Sequence, residues 1–184
     1  MLQADPNLSA NYTRRLAGHR AQARGRAFEN ALDHMHVWYA RAGRAIIDQA
    51  NVPTVPVGGK GLRKIRGKAP IDFAGHLKGG RAVYIEAKAT AEAAPSLGFG
   101  RADAGVDAEQ VARLQIRLET GALCVVLWLN GDRVGVLGPH ALNNAVMVFQ
   151  HGGRKSVTRD EFAWLEADDF DWLPVLEAEV KRGA

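Results

Sequence analysis

PIDFAGHLKGGRAVYIEAKAT, residues 70–90, is the stretch that decides the fold. Two segments rich in apolar residues flank Gly79 and Gly80, which is typical of a β-hairpin. Side chains two apart on a strand share a face, so Glu86 and Lys88 lie together while apolar residues face the other way. Opposite charges on one face of a strand indicate either an ordinary solvent-facing ion pair or a functional site.

The position of Asp72 depends on the length of the turn. A two-residue loop would place the carboxylates of Asp72 and Glu86 on opposite faces of the hairpin. A three-residue loop, 78–80, pairs Asp72 directly with Glu86 and suits a glycine at its last position. In that register the apolar pairs are Phe73 with Ile85 and Ile71 with Ala87. The hydrophobic pattern favours the three-residue loop, because a slip of one residue would bury the charges.

Two carboxylates directly opposite each other repel, at a cost comparable to the roughly 0.2–1 kcal/mol scale of cross-strand pairs. A bound Mg²⁺ makes the close approach of the two carboxylates favourable, because it prefers oxygen ligands and takes one or two carboxylates together with water and phosphate. Lys88, on the same face, can orient or deprotonate the attacking water or stabilise developing charge. Asp72, Glu86 and Lys88 therefore predict a Mg²⁺ site for phosphodiester hydrolysis, with Mn²⁺ as a substitute.

The chain has 184 residues, a length suited to one domain, 1–184. Its longest apolar run, 122–129, is far too short to span a membrane, and the first residues lack the apolar stretch of a signal peptide. Cys124 is the only cysteine, which excludes an intrachain disulfide. A cytoplasmic location without a membrane partner is the expectation.

The net charge of +4 is distributed unevenly. Residues 14–26 and 60–68 contain basic side chains and no acidic ones, whereas 160–179 contains acidic side chains and no basic ones. Basic clusters of this kind suit a polyanion, although chance clustering on a solvated surface explains them equally well. The domain is accordingly divided into a basic N-terminal arm or helix (1–23), a basic stalk loop (53–69) and an acidic C-terminal helical segment (155–184).

The periodicity predicts helices and strands in alternation. A long helix is expected from Ser9 to Ala42, closed by Gly43, and then a short strand. After the hairpin we expect a loop (91–105), a helix (106–120), a buried strand (122–129) and a strand returning across an Asn-Gly-Asp turn. Near the end, Thr158 and Glu161 have capping-box spacing before a short helix, and another helix follows Pro174. This order predicts an α/β sandwich.

Asp72 followed by Glu86-Ala87-Lys88 resembles the signature of the PD-(D/E)XK nucleases. Ordered pieces across residues 24–137 are similar to the RecU-type Holliday junction resolvases: ARGRAFENAL, VPTVPV, IDFAG, YIEAKAT, DAEQVARL and GALCVVLWL. The resemblance implies a restriction-endonuclease-like core, a central mixed β-sheet flanked by helices, with a flexible basic stalk before the catalytic hairpin. Ile71 and Glu109 depart from it, since the family often has Thr and His there.

The resemblance also implies roles for individual residues. Asp72, Glu86 and the Ala87 carbonyl would bind Mg²⁺, and Lys88 would be the catalytic lysine. Glu29 would bind the metal through water, and Gln110 would position the nucleophile or a phosphate. An exposed helix glutamate and a surface amide near a helix cap are the alternatives for those two. The residues expected to contact DNA are Arg24, Arg26, Lys60, Arg63, Lys64, Arg66 and Lys68.

These observations predict a Mg²⁺-dependent endonuclease that cuts four-way DNA junctions symmetrically, as a homodimer because two strands must be cut. A restriction-like endonuclease or an exonuclease acting on duplex or flapped DNA is the first alternative. A non-catalytic DNA-binding module is the second. The isolated histidines are expected to be surface or core residues and not zinc ligands, because no cysteine stands at zinc spacing. They are His34, His36, His140 and His151.

Overall fold

The computed structural model describes residues 6–50, 54–56, 62–64, 71–90, 92–100 and 105–182. For 6–19, 54–56, 62–64 and 182 this description covers the backbone alone.

A six-stranded mixed sheet forms the centre of the molecule, in the order β1-β4-β5-β7-β8-β10. Only β5 and β7 pair in parallel, and the other neighbours are antiparallel. The parallel pair is joined through helix α2, as a crossover connection requires. The strands are β1 (Ala45–Gln49), β4 (Phe73–Leu77), β5 (Ala82–Thr90), β7 (Leu123–Asn130), β8 (Arg133–Leu137) and β10 (Ala163–Glu166).

Helices cover both faces of this sheet. Helices α1 (Pro6–Arg41) and α4 (Leu173–Arg182) pack on one face, over a core that contains Leu32, Phe73 and Trp172. Helices α2 (Ala108–Glu119) and α3 (Pro139–Gln150) pack on the other face, over a core that contains Leu114 and Trp128. The predicted α/β architecture, a central mixed sheet flanked by helices, is confirmed. No helix among the described residues is both long and apolar enough to cross a bilayer.

The β4–β5 hairpin has the predicted register. Phe73 pairs with Ile85, and the Leu77 N–H donates to the Arg81 carbonyl at 2.9 Å, which leaves 78–80 as the loop. The last two loop positions are glycines with φ of +96° and +85°, a conformation that a β-carbon would disfavour. The three-residue loop is therefore confirmed.

Ile71 departs from the prediction. It was expected on the face of Phe73 and Ile85, opposite the charges, but it is buried in the core on the α2–α3 side. The reason is that β4 begins only at Phe73, so strand alternation does not extend back to residue 71. The face that carries Glu86 is covered as well, because α2 and α3 pack on it.

Three further elements differ from the predictions. Helix α3 was not predicted, and β6 (Ser96–Gly98) lies inside the stretch expected to be a loop, where it pairs with β9 (Ser156–Thr158). The C-terminal segment 155–184 was expected to be helical. It contains β9, one 3-10 turn (Arg159–Glu161) and β10 before α4.

The basic stalk is only partly within the described residues. Strands β2 (Thr54–Pro56) and β3 (Leu62–Lys64) pair antiparallel in a small sheet separate from the central one. The predicted DNA-contacting residues Lys60, Arg66 and Lys68 lie outside the described residues.

Candidate metal centre

The candidate site lies where strand β5 extends beyond its neighbour β4. The last pair between them is Phe73 with Ile85, whereas β5 stays paired with β7 as far as Thr90. At the edge of β5 that β4 leaves unpaired, the Ala87 N–H donates to Oδ2 of Asp72 at 2.8 Å. Because the N–H and C=O of one strand residue point toward the same neighbour, the Ala87 carbonyl also lies on the Asp72 side.

Glu86 is fully buried beside this edge. Its Oε1 accepts hydrogen bonds from the Lys88 ammonium and from the Gln110 side-chain amide. Its Oε2 is buried without a hydrogen-bond partner among the described residues. Burial raises the pKa of Glu86 to about 8; the nearby Lys88 lowers this pKa and the carboxylate of Asp72 raises it.

Gln110 connects helix α2 to the buried carboxylate. Its Oε1 accepts the backbone N–H of Asp107 at 3.0 Å, and its own backbone N–H donates to the Asp107 carboxylate at 2.8 Å, which together make a capping box. With the carbonyl oxygen held in this way, the amide nitrogen is directed at Glu86. Gln110 is therefore part of a helix cap, as the alternative interpretation expected, and its side chain also contacts Glu86.

Glu29 approaches the same place from helix α1. Its side chain is half-buried, which departs from the alternative of a fully exposed helix glutamate. Burial and the charge of Asp72 raise the pKa of Glu29, while Lys88 lowers it. Glu29 therefore lies within the electrostatic influence of Asp72 and Lys88.

The chemistry of these residues fits a hard divalent cation. Asp72 and Glu86 supply two carboxylates, and the Ala87 carbonyl supplies a further oxygen. Oε2 of Glu86 is a buried acceptor to which no described residue donates. No group of three or more His, Cys, Asp or Glu side chains in the described part of the chain is arranged as a metal site. Mg²⁺ is compatible with two carboxylates, because water and phosphate oxygens complete its coordination.

The other predicted residues are distributed differently. The guanidinium of Arg24 is half-buried and donates to the Gly131 carbonyl in the β7–β8 turn, a contact that joins α1 to the sheet. Arg26 is exposed. His36 is a core residue, packed edge-on against Phe73, and its burial lowers its pKa to about 4. The remaining isolated histidines, His34, His140 and His151, are exposed, as expected.

Asn130, at the end of β7, is a residue beside the site that sequence reasoning missed. It is buried, its Oδ1 accepts the Ala94 N–H at 2.7 Å, and its Nδ2 donates to the Ala94 carbonyl at 2.9 Å. The hydroxyl of Thr90 also donates to Oδ1, at 3.1 Å. These bonds attach the loop after β5 to the end of β7. A polar residue that ends a continuous apolar run is the available signal, but Asn-Gly-Asp indicated only a turn.

Comparison with known proteins yields no matching family model and no match among curated proteins. A solved structure does match, the 1.6 Å resolution structure of Hjc from Archaeoglobus fulgidus, a Holliday junction resolvase from an archaeal hyperthermophile. The two chains are 17% identical, and the alignment covers 79% of this chain and 97% of that one with a TM-score of 0.42. A likeness of this degree carries no conclusion about activity.

Proposed function

We propose that this protein is a Holliday junction resolvase of RecU type, a Mg²⁺-dependent endonuclease that nicks four-way DNA junctions symmetrically. The observation that carries the proposal is the buried Glu86 carboxylate beside Asp72. Lys88 and Gln110 donate to its Oε1, and its Oε2 has no donor among the described residues. Buried carboxylates whose pKa is strongly raised by desolvation and by a neighbouring charge are concentrated at functional sites, which favours this interpretation.

Asp72, Glu86 and the Ala87 carbonyl would hold Mg²⁺, and Glu29 would bind to it through water. When bound, the ion supplies positive charge against a DNA phosphate and lowers the pKa of a coordinated water. Lys88 is the cation nearest to the buried carboxylate, so it is suited to orient the attacking water or to stabilise charge that develops on the phosphate. Gln110 holds the Glu86 carboxylate in place.

The choice of branched DNA rests on the basic stalk. This segment precedes the catalytic hairpin and its described strands, β2 and β3, form a sheet of their own, so it is not part of the central core. A junction centre brings together phosphates from four strands, and a cationic segment gains there through counterion release. Symmetric cleavage requires two sites related by a two-fold axis, and we accordingly propose a homodimer.

Cleavage of matched substrates tests this function. Immobile four-way junctions, flaps and linear duplexes of equal length are incubated with the protein and Mg²⁺, with a chelator as the control. We expect paired nicks in the junction, no cleavage in chelator, and recovery when Mn²⁺ is added. Equal cleavage of junction and duplex would instead support a restriction-like enzyme. If the protein binds DNA but does not cleave it in the presence of any divalent ion, the result would support a non-catalytic module.

A further inference from the structure

The side chain of Trp164 lies flat on the sheet and supports an arginine. Trp164 on β10 is opposite Gly135 on β8, and a β-carbon at Gly135 would meet the Trp164 ring at 3.1 Å. Trp164 also packs against Trp128 and Phe162, with ring centroids 5.7 Å away in both cases. Its Nε1–H donates to the Arg159 carbonyl at 2.8 Å, which fixes the ring in its plane.

The guanidinium of Arg159 lies over this ring, 5.0 Å from its centroid. Arg133 lies 5.9 Å from the same centroid, but it is paired with Glu166 at 3.3 Å. Arg159 is exposed and forms no ion pair with a carboxylate in the described part of the chain. The same holds for the exposed Lys155, four residues earlier at the other end of β9. A planar cation held on an aromatic face retains its N–H donors for another acceptor.

A chain of hydrogen bonds connects this surface to the candidate metal centre. The Arg159 N–H donates to the Pro95 carbonyl at 3.3 Å, and the adjacent Ala94 is held by Asn130. Asn130 is bonded in turn to Thr90, which lies two residues, or about 7 Å, beyond Lys88 on β5. The aromatic-supported arginine therefore lies at the same end of the sheet as the carboxylates.

We propose that Arg159, supported by Trp164 and accompanied by Lys155, contacts the phosphate backbone of DNA beside the metal centre. The inference rests on the proposed nuclease function. Each strand of a DNA duplex has one phosphate per about 3.4 Å of helix axis, so DNA that places one phosphate at Asp72 and Glu86 presents others to the neighbouring surface. Asp160 and Glu161 are adjacent in sequence. Glu161 is paired with Arg154, whereas Asp160 keeps its negative charge, because hydrogen bonding with Thr158 lowers its pKa. The basic residues that sequence reasoning assigned to DNA do not include this surface.

Salt-dependent binding tests the proposal. Fluorescence anisotropy of a labelled junction is measured in chelator, so that no cleavage occurs, for the wild type, Arg159→Ala and Arg81→Ala. Arg81 is also an exposed arginine, so both variants lose one positive charge. It lies at the opposite end of β5 and therefore serves as the control. We expect Arg159→Ala to weaken binding and to reduce the slope of log K against log salt by about one. Arg81→Ala should leave the slope at its wild-type value.

Folding and catalysis are assessed separately. The backbone N–H and C=O groups of Arg159, which bond to Pro95 and Trp164, remain in the alanine variant. We therefore expect an unchanged melting temperature, which would show that the 3-10 turn at 159–161 is intact. Equal slopes for Arg159→Ala and Arg81→Ala, or a wild type that does not bind DNA, would overturn the inference. Cleavage of the junction by the wild type together with equal slopes would overturn this inference alone. A reduced slope in a protein that never cleaves DNA would support the contact and overturn the nuclease.

Discussion

The Asp72 carboxylate accepts the backbone N–H of Ala87 at 2.8 Å, at the edge of β5 where β4 no longer pairs with it and no other described strand lies beside it. One oxygen of Asp72 therefore takes the place of the missing strand as a hydrogen-bond acceptor. This hydrogen bond does not require a negative charge, because the side-chain oxygen of an asparagine at position 72 could accept the same N–H. The structural and the proposed metal-binding contributions of Asp72 are for this reason separable.

Asp72→Asn is expected to keep the fold and lose the chemistry. The asparagine oxygen can accept the Ala87 N–H, but the charge that would hold Mg²⁺ is gone. We expect the single-turnover nicking rate to fall by at least about a hundredfold, a loss comparable to removal of a key electrostatic group from other enzymes. Junction affinity in chelator should be retained. Wild-type nicking by a folded Asp72→Asn protein would exclude Asp72 as a ligand.

Glu86→Gln should change how stability depends on pH. Since burial raises the pKa of Glu86 to about 8, the folded protein retains a proton that the unfolded chain releases above about pH 4.5. The stability from this group is fully present below that pH and is lost as the pH rises toward 8, by at most about 1.4 kcal/mol per unit. We expect the melting temperature of the wild type, relative to Glu86→Gln, to fall over this range without metal.

Because the pKa of His36 is lowered in the folded protein, His36 makes the protein less stable as the pH falls through the acidic range. Both proteins contain His36, so this effect cancels when the melting temperature of the wild type is compared with that of Glu86→Gln. Added Mg²⁺ should raise the melting temperature of the wild type most at alkaline pH, where the carboxylate is ionised. Parallel pH profiles for the two proteins would show that Glu86 has an ordinary pKa.

Lys88→Met tests the cation beside the buried carboxylate. Methionine retains most of the side-chain packing but removes the ammonium that donates to Glu86. The pKa of Glu86 should then rise further, so that Mg²⁺ binding, measured by calorimetry, requires a higher pH than in the wild type. Nicking should be lost even at Mg²⁺ concentrations that saturate the variant. A variant that nicks junctions at the wild-type rate would remove the catalytic role of Lys88.

Gln110→Ala and Gln110→Glu separate the helix cap from the metal centre. Alanine removes both the capping bond and the bond to Glu86, and we expect it to cost about 1 kcal/mol of stability as well as Mg²⁺ affinity. Glutamate can restore the capping box but places a carboxylate against Glu86. Its expected effect is near-wild-type stability at acidic pH with nicking lost. Wild-type nicking by both variants would show that Gln110 serves only the cap.

Deletion of Lys60–Lys68 tests the stalk. The segment includes β3, which among the described strands pairs with β2 and not with the central sheet, so the melting temperature should change little. We expect the ratio of junction to duplex affinity to fall, because the deleted segment carries five basic residues. Replacing the same residues with a glycine–serine segment of equal length controls for the shortened chain. An unchanged ratio would remove the stalk from the explanation of selectivity.

The hairpin was predictable because, of the two loop lengths considered around Gly79 and Gly80, only the three-residue loop pairs Phe73 with Ile85 on one face. Strand alternation predicts the face of the sheet that carries Glu86. It does not predict what packs on that face, so the positions of α2 and α3 could not be inferred from residues 70–90. Glu29 and Gln110 came from the family resemblance, since nothing local to either residue distinguishes it from a surface side chain.

The missed elements depend on distant partners. Strand β10 exists because four residues near the C-terminus pair with β8, and β6 exists because it pairs with β9, about sixty residues further along the chain. Ile71 was placed in the wrong core because strand periodicity was extended two residues too far. Helix α3 follows β8 directly after Gly138, and its start was hidden by a Gly-Pro pair that resembles a turn.

The hydrogen bond from Gln110 to Glu86 has a consequence for biosynthesis. It spans 24 residues, while Glu29 and Asp72 reach the same place from more distant segments. Contacts between such separated residues are made late, after loop closure has been overcome. A nascent chain in which residue 110 has not yet left the ribosome accordingly lacks this donor to Glu86, so the proposed centre cannot be complete before α2 has been made.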